Sequence, residues 1–79
     1  MKSLNELKLN EEAIIVNLEA NPNIKRRLMD IGFVKGEKVK LILKNFGDNM
    51  RAYKIKNTVI ALRKNDTKNI MVKSLYTPS

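Results

Sequence analysis

The sequence contains no cysteine and no histidine. No disulfide can staple the fold, and no thiolate nucleophile or Ser-His-Asp triad can be built. Zinc fingers and haem ligation are excluded on the same ground. Proline and glycine number two and three, so breaks in regular structure are few. Aromatic residues make up 5% of the chain, which leaves little material for a base-stacking surface. No apolar run approaches the roughly 18–20 residues that cross a bilayer. The opening Met1-Lys2-Ser3-Leu4 leads into polar sequence, not into the apolar core of a signal peptide. The expectation is a cytoplasmic protein. Acidic residues are in the minority, eight against 16 Lys and Arg, for a formal net charge of +8.

That charge is unevenly spread. Residues 1–20 carry a net −2 and residues 21–79 a net +10. A basic body suits an anionic neighbour or a well-solvated lysine surface. The 79 residues fit one domain, residues 1–79, whose core is small because such a chain buries only about 60–65% of its extended surface.

Residues 3–7 suit one helical turn, with Ser3 as N-cap and Glu6 as its capping-box partner. Residues 13–18, rich in β-branched side chains, read as a short buried strand. Asn21 and Pro22 announce a helix over residues 22–31, since Asn caps it and Pro fits the first helical position. Ile24, Leu28 and Ile31 fall on one face. Gly32 ends the helix, and Phe33 can pack back on Leu28. Lys35-Gly36 turns into residues 37–44, where Val39, Leu41 and Leu43 alternate with lysines as in a half-buried strand. Residues 45–49 read as a loop. Residues 51–56 and 59–63 read as strands joined at Asn57-Thr58. Residues 65–68 suit a single turn, residues 70–72 a last strand, and residues 73–79 a frayed tail. This is a mainly β protein: a small barrel of about five short antiparallel strands with one inserted helix and single turns near both ends. Leu28, Ile31 and Phe33 are expected to pack on Ile15, Val39, Leu41 and Leu62, with Gly32 at positive φ.

Catalytic chemistry finds no support. The carboxylates are scattered, and the glycines form no phosphate-binding run. Asp30, Glu37, Asp48 and Asp66 read as caps, turns and surface ion pairs rather than metal ligands, so no catalytic, cofactor or metal residue is assigned. Elimination leaves protein binding. The barrel absorbs the alternating strand residues, and Lys25, Arg26, Arg27 and Met29 remain outside on the helix, with Phe46 on the loop. These form the expected docking surface. The alternative is a basic small-barrel nucleic-acid-binding module with Phe46 as its stacking residue.

The ordered run Arg27-Leu28-Met29-Asp30-Ile31-Gly32-Phe33-Val34-Lys35-Gly36-Glu37-Lys38-Val39, then Gly47-Asp48-Asn49, then Ile60-Ala61-Leu62-Arg63, then Asp66 and Ile70-Met71-Val72, resembles the FeoA family. That family is the small cytoplasmic partner of the bacterial ferrous iron transporter FeoB. Lys35, Asn49 and Asn57 depart from its usual Pro, Pro and Gly, each by a turn-compatible residue. The resemblance implies an SH3-like barrel with an inserted helix. Leu28, Ile31, Gly32, Phe33, Gly36, Ala61, Leu62 and Arg63 carry its motif. It further implies a non-enzymatic accessory or regulatory role in Fe(II) uptake, without a cofactor. The partner would be the GTPase-bearing cytoplasmic part of the transporter, which would recruit the chain to the inner face of the plasma membrane without direct insertion. A monomer that does not bind nucleic acid is the expected state.

Overall fold

The computed structural model describes residues 1–44 and 49–75. Six antiparallel strands form one sheet in the order β1-β6-β2-β3-β4-β5. They are β1 Lys2–Ser3, β2 Glu12–Leu18, β3 Lys38–Leu43, β4 Met50–Ile55, β5 Thr58–Arg63 and β6 Ile70–Ser74. Two helices interrupt the strands, α1 Pro22–Asp30 and α2 Lys64–Thr67, and a single 3-10 turn spans Leu4–Glu6.

Alternation decides which side of the sheet is dry. Ala13, Ile15 and Leu18 of β2 point inward, as do Val39 and Leu41 of β3, Tyr53 and Ile55 of β4, and Ile70 and Val72 of β6. All belong to one buried cluster, together with Leu4 of the 3-10 turn and Leu7, which caps it. A flat six-stranded sheet would be about 24 Å across, too wide for one such cluster, so the sheet folds over its own core. β2 is the pivot, pairing with β6 on one side and β3 on the other. Irregular register between Ile15 and Asn17, and between Leu41 and Leu43, marks where the strands bend. No ladder joins β1 to β5 among the described residues, so the sheet stays open, with β5 at one edge.

Helix α1 starts as its sequence dictates. The Asn21 side chain accepts a hydrogen bond from the Ile24 N–H at 3.0 Å, with Pro22 at the first position. At the far end Phe33 N–H donates to Leu28 O at 2.9 Å and Gly32 N–H to Met29 O at 3.1 Å. That pair of bonds is the Schellman motif, and Gly32 sits at φ 113°. Phe33 is thereby turned into the core, edge-on to Tyr53 at 6.4 Å between ring centroids.

Several boundaries differ from the sequence reading. Lys2–Ser3 is a strand because residues at the far end of the chain receive it: Lys2 pairs with Val72 and Ser3 with Met71. β6 runs on through Lys73 and Ser74, which pair with Ile14 and Ala13, so the expected frayed tail begins later. The β4–β5 turn is Lys56-Asn57, one residue earlier than expected, with both residues at positive φ, 50° and 63°. That is the backbone of a type I′ turn, whose twist matches the flanking strands. Ile31 is 44% exposed. It caps α1 rather than completing its buried face, and only Leu28 of the helix, 3% exposed, is fully buried. Leu62 is half-buried at the core margin. Residues 45–48 of the loop expected at residues 45–49, and residues 76–79, lie outside the described residues.

Candidate docking surface

With Leu28 as its one fully buried side chain, α1 leaves much of its surface to solvent. Lys25, Arg26 and Arg27 are exposed, and Met29 is 45% exposed. Lys25, Arg26 and Met29 flank a shallow hollow with Pro22 and Asp30. On the other side of the helix, a groove of about 260 Å³ separates α1 from β5 and α2. Ile24, Leu28, Ile31 and Leu62 form its apolar floor, and Arg27, Asp30 and Asp66 its polar rim. The expected site residues therefore divide. Arg27 reaches the groove, Lys25, Arg26 and Met29 face away from it, and Phe46 lies outside the described residues. Ala61 and Arg63 are exposed on β5. Gly36 serves the barrel, with its N–H donating to Ile15 O at 2.7 Å and φ at 94°.

The sequence reading missed the groove itself. The signal was available: three apolar residues on a short helix exceed what a core this small absorbs, and the surplus pair, Ile24 and Ile31, lines the groove. Leu62 and Asp66 join it only because α2 follows β5 directly.

Electrostatics concentrate elsewhere. Glu11 accepts from Lys2 Nζ at 2.7 Å, from the Lys8 N–H at 2.8 Å and from the Ser74 hydroxyl. Partial burial works to raise this carboxyl, and the three donors outweigh it, holding the pKa at about 2 against an ordinary 4.5. The result is a clasp tying the adjacent strands β1 and β6, from opposite ends of the chain, to the β1–β2 connection. Beneath the 3-10 turn, Arg51 is buried and donates to Asn5 O at 2.6 Å. Among the described residues the neighbouring Tyr53 hydroxyl and Arg51 Nε meet no partner within hydrogen-bond geometry, although Thr67 and Arg51 lie beside the phenol. Burial pushes the Tyr53 phenol up.

Among the described residues no three acidic side chains gather as a metal site would require, and no helix is long and apolar enough to cross a membrane. The described aromatics, Phe33 and Tyr53, are fully buried, so no described side chain offers the stacking platform of a single-strand binder.

Residues 2–74 match the FeoA domain family. A candidate Fe(2+) transport protein A from Campylobacter jejuni is 36% identical over 70 residues, 89% of this chain and 95% of that protein. The FeoA protein of Stenotrophomonas maltophilia, crystallised with zinc and described as a prokaryotic SH3 domain protein, superposes with a TM-score of 0.81. It is 34% identical, covering 92% of this chain and 91% of that one. The solution structure of a FeoA protein from Chlorobium tepidum gives a TM-score of 0.86 at 28% identity, covering 98% of this chain and 73% of that one.

Proposed function

We propose that this chain, which belongs to the FeoA family of ferrous iron transport, acts as a non-enzymatic accessory protein of Fe(II) uptake. It docks in the cytoplasm on the GTPase-bearing part of a FeoB-like transporter, as one SH3-like domain. The observation that carries this reading is the state of α1. The helix is held to the core by one fully buried side chain and presents Lys25, Arg26, Arg27 and Met29 to solvent, with an apolar groove at its flank. Arg and Met are favoured where protein interfaces bury surface, and a groove offers a partner side chain a place to anchor. A contact led by these charges forms quickly and weakens with salt, which suits a regulator that must dissociate.

The test compares two variants for binding to the transporter's cytoplasmic region and for Fe(II) uptake under iron limitation. Arg26→Glu combined with Arg27→Glu reverses the charge of the exposed helix. Ile31→Ser removes the apolar end of the groove at an exposed position. Both should keep a wild-type circular dichroism spectrum, and the charge reversal should weaken binding at least tenfold. Unchanged binding and uptake in both would move the docking surface elsewhere, the acidic N-terminal segment being the next candidate.

A further inference from the structure

The outer face of the sheet carries a second basic surface, separate from α1. Register defines two rows across it. In one, Lys73, Ile14 and Lys38 lie side by side on β6, β2 and β3. In the other, Glu12, Lys40, Lys54 and Val59 lie side by side on β2, β3, β4 and β5. Lys40 and Lys54 are direct cross-strand partners. Like charges in that position oppose sheet formation, so local stability does not account for them. Lys56 extends the cluster at the β4–β5 turn, around a hollow of about 370 Å³. The surface therefore holds five lysines against Glu12 and Glu37, and among the described residues only one of those lysines is in an ion pair, Lys56 with Glu37 at 3.6 Å.

The chemistry of this face selects among anionic partners. Its cations are all lysines, with none of the planar guanidinium forks that grip one phosphate or carboxylate bidentately. No described aromatic lies on it, since Phe33 and Tyr53 are in the core, so it lacks the platform on which nucleic-acid bases stack. Lysine is depleted from the buried centres of protein interfaces. The row of Lys40 and Lys54 ends instead in apolar residues. Val59 closes one end, 60% exposed, and Leu75, 38% exposed, lies beside Glu12 at the other, where its N–H donates to Glu12 O at 3.0 Å. Flexible ammonium groups spread over a sheet face and flanked by exposed aliphatic side chains match a diffuse, laterally mobile array of anionic headgroups.

We propose that this face, the outer side of β2, β3 and β4, docks peripherally on an anionic phospholipid bilayer. The inference goes beyond the α1 docking reading and does not depend on it. It gives the chain a way to concentrate at a membrane before it meets any protein there.

Flotation with vesicles tests it, using equal parts phosphatidylglycerol and phosphatidylcholine against phosphatidylcholine alone. The wild type should float only with the anionic vesicles, and less as salt rises past about 0.15 M, where the screening length is near 8 Å. Each lysine near an anionic surface contributes about fivefold in partitioning, so Lys40→Gln with Lys54→Gln should lose about 25-fold. The double variant should melt no lower than wild type, because it removes a like-charge pair. Lys64→Gln with Lys68→Gln removes the same charge outside these rows and should partition as wild type. Equal losses in the two pairs would reduce the effect to net charge and overturn the proposal. So would flotation with neutral vesicles, or tighter binding to duplex DNA than to anionic vesicles at the same salt.

Discussion

Replacing Gly32 tests the helix end from which Phe33 enters the core. A Cβ added at Gly32 would meet nothing closer than Ile55 Cγ2 and Lys56 Cδ, both at 3.9 Å. That is ordinary contact, so the cost of Gly32→Ala comes from the backbone alone. At φ 113° the residue lies beyond the small left-handed region that other L-residues visit. Holding a non-glycine residue in such a region costs about 1–3 kcal/mol. Losing glycine's freedom in the unfolded chain returns about 0.4–1 kcal/mol. The net expectation is a loss of roughly 1–2 kcal/mol, and for a domain of this size each kcal/mol lowers the melting temperature by about 4–8 °C. A β-branched residue adds a stiff χ1, so Gly32→Val should fall further. Thermal unfolding followed by circular dichroism reads the difference. Ile31→Ala, one residue away and exposed, provides the control and should stay within about 0.5 kcal/mol. If Gly32→Ala melts with the wild type, the two bonds closing the helix do not need this backbone, and Phe33 is held by packing alone.

Acid should loosen the Glu11 clasp. The folded pKa lies below the unfolded value, so this contribution is complete above about pH 4.5 and is lost as pH falls toward 2; Glu11→Gln should lower the melting temperature at pH 7 and flatten its dependence on pH across that window. Tyr53→Phe removes a buried hydroxyl that has no hydrogen-bond partner among the described residues, so stability should be unchanged or rise by up to about 1 kcal/mol; a denaturant titration showing a loss larger than that would mean the hydroxyl is hydrogen-bonded after all. Asn57 occupies the second position of the type I′ turn at φ 63°, where glycine is the better residue; Asn57→Gly should raise the melting temperature by a few degrees, and a fall would show that the Asn57 side chain holds the turn.

The elements legible in the sequence are those whose signals lie next to the bonds they make. Asn21-Pro22 and Gly32-Phe33 bracket α1 because caps and Schellman bonds span only a few residues. The alternation of Val39 and Leu41 with Lys38 and Lys40 marks β3 because pleating is local. The elements misjudged depend on distant partners. Lys2–Ser3 is extended only because Val72 and Met71 receive it, and β6 outlasts its apolar residues because β2 pairs with Lys73 and Ser74. The turn slipped by one residue because Lys56 accepts positive φ without being a residue that advertises it.

Ile31 shows why the surface was harder to read than the core. Helical spacing places it on the same face as Ile24 and Leu28, but spacing fixes direction around an axis, not depth. Only packing decides how much of a helix the core reaches, and here it buries Leu28 fully and Ile24 in part and leaves Ile31 exposed. The lysine rows pose the same problem across strands. Lys40 and Lys54 are 14 positions apart in the sequence, and each read singly is the solvated partner of an inward-facing neighbour. Only the β3–β4 register sets them directly opposite each other, with Val59 beside Lys54. A shift of that register by one residue would send Lys54 to the core side and Tyr53 to solvent. Burial of Tyr53 against Phe33 therefore also fixes which lysines share the outer face. The charge pattern available to a partner is set from the core side of the sheet.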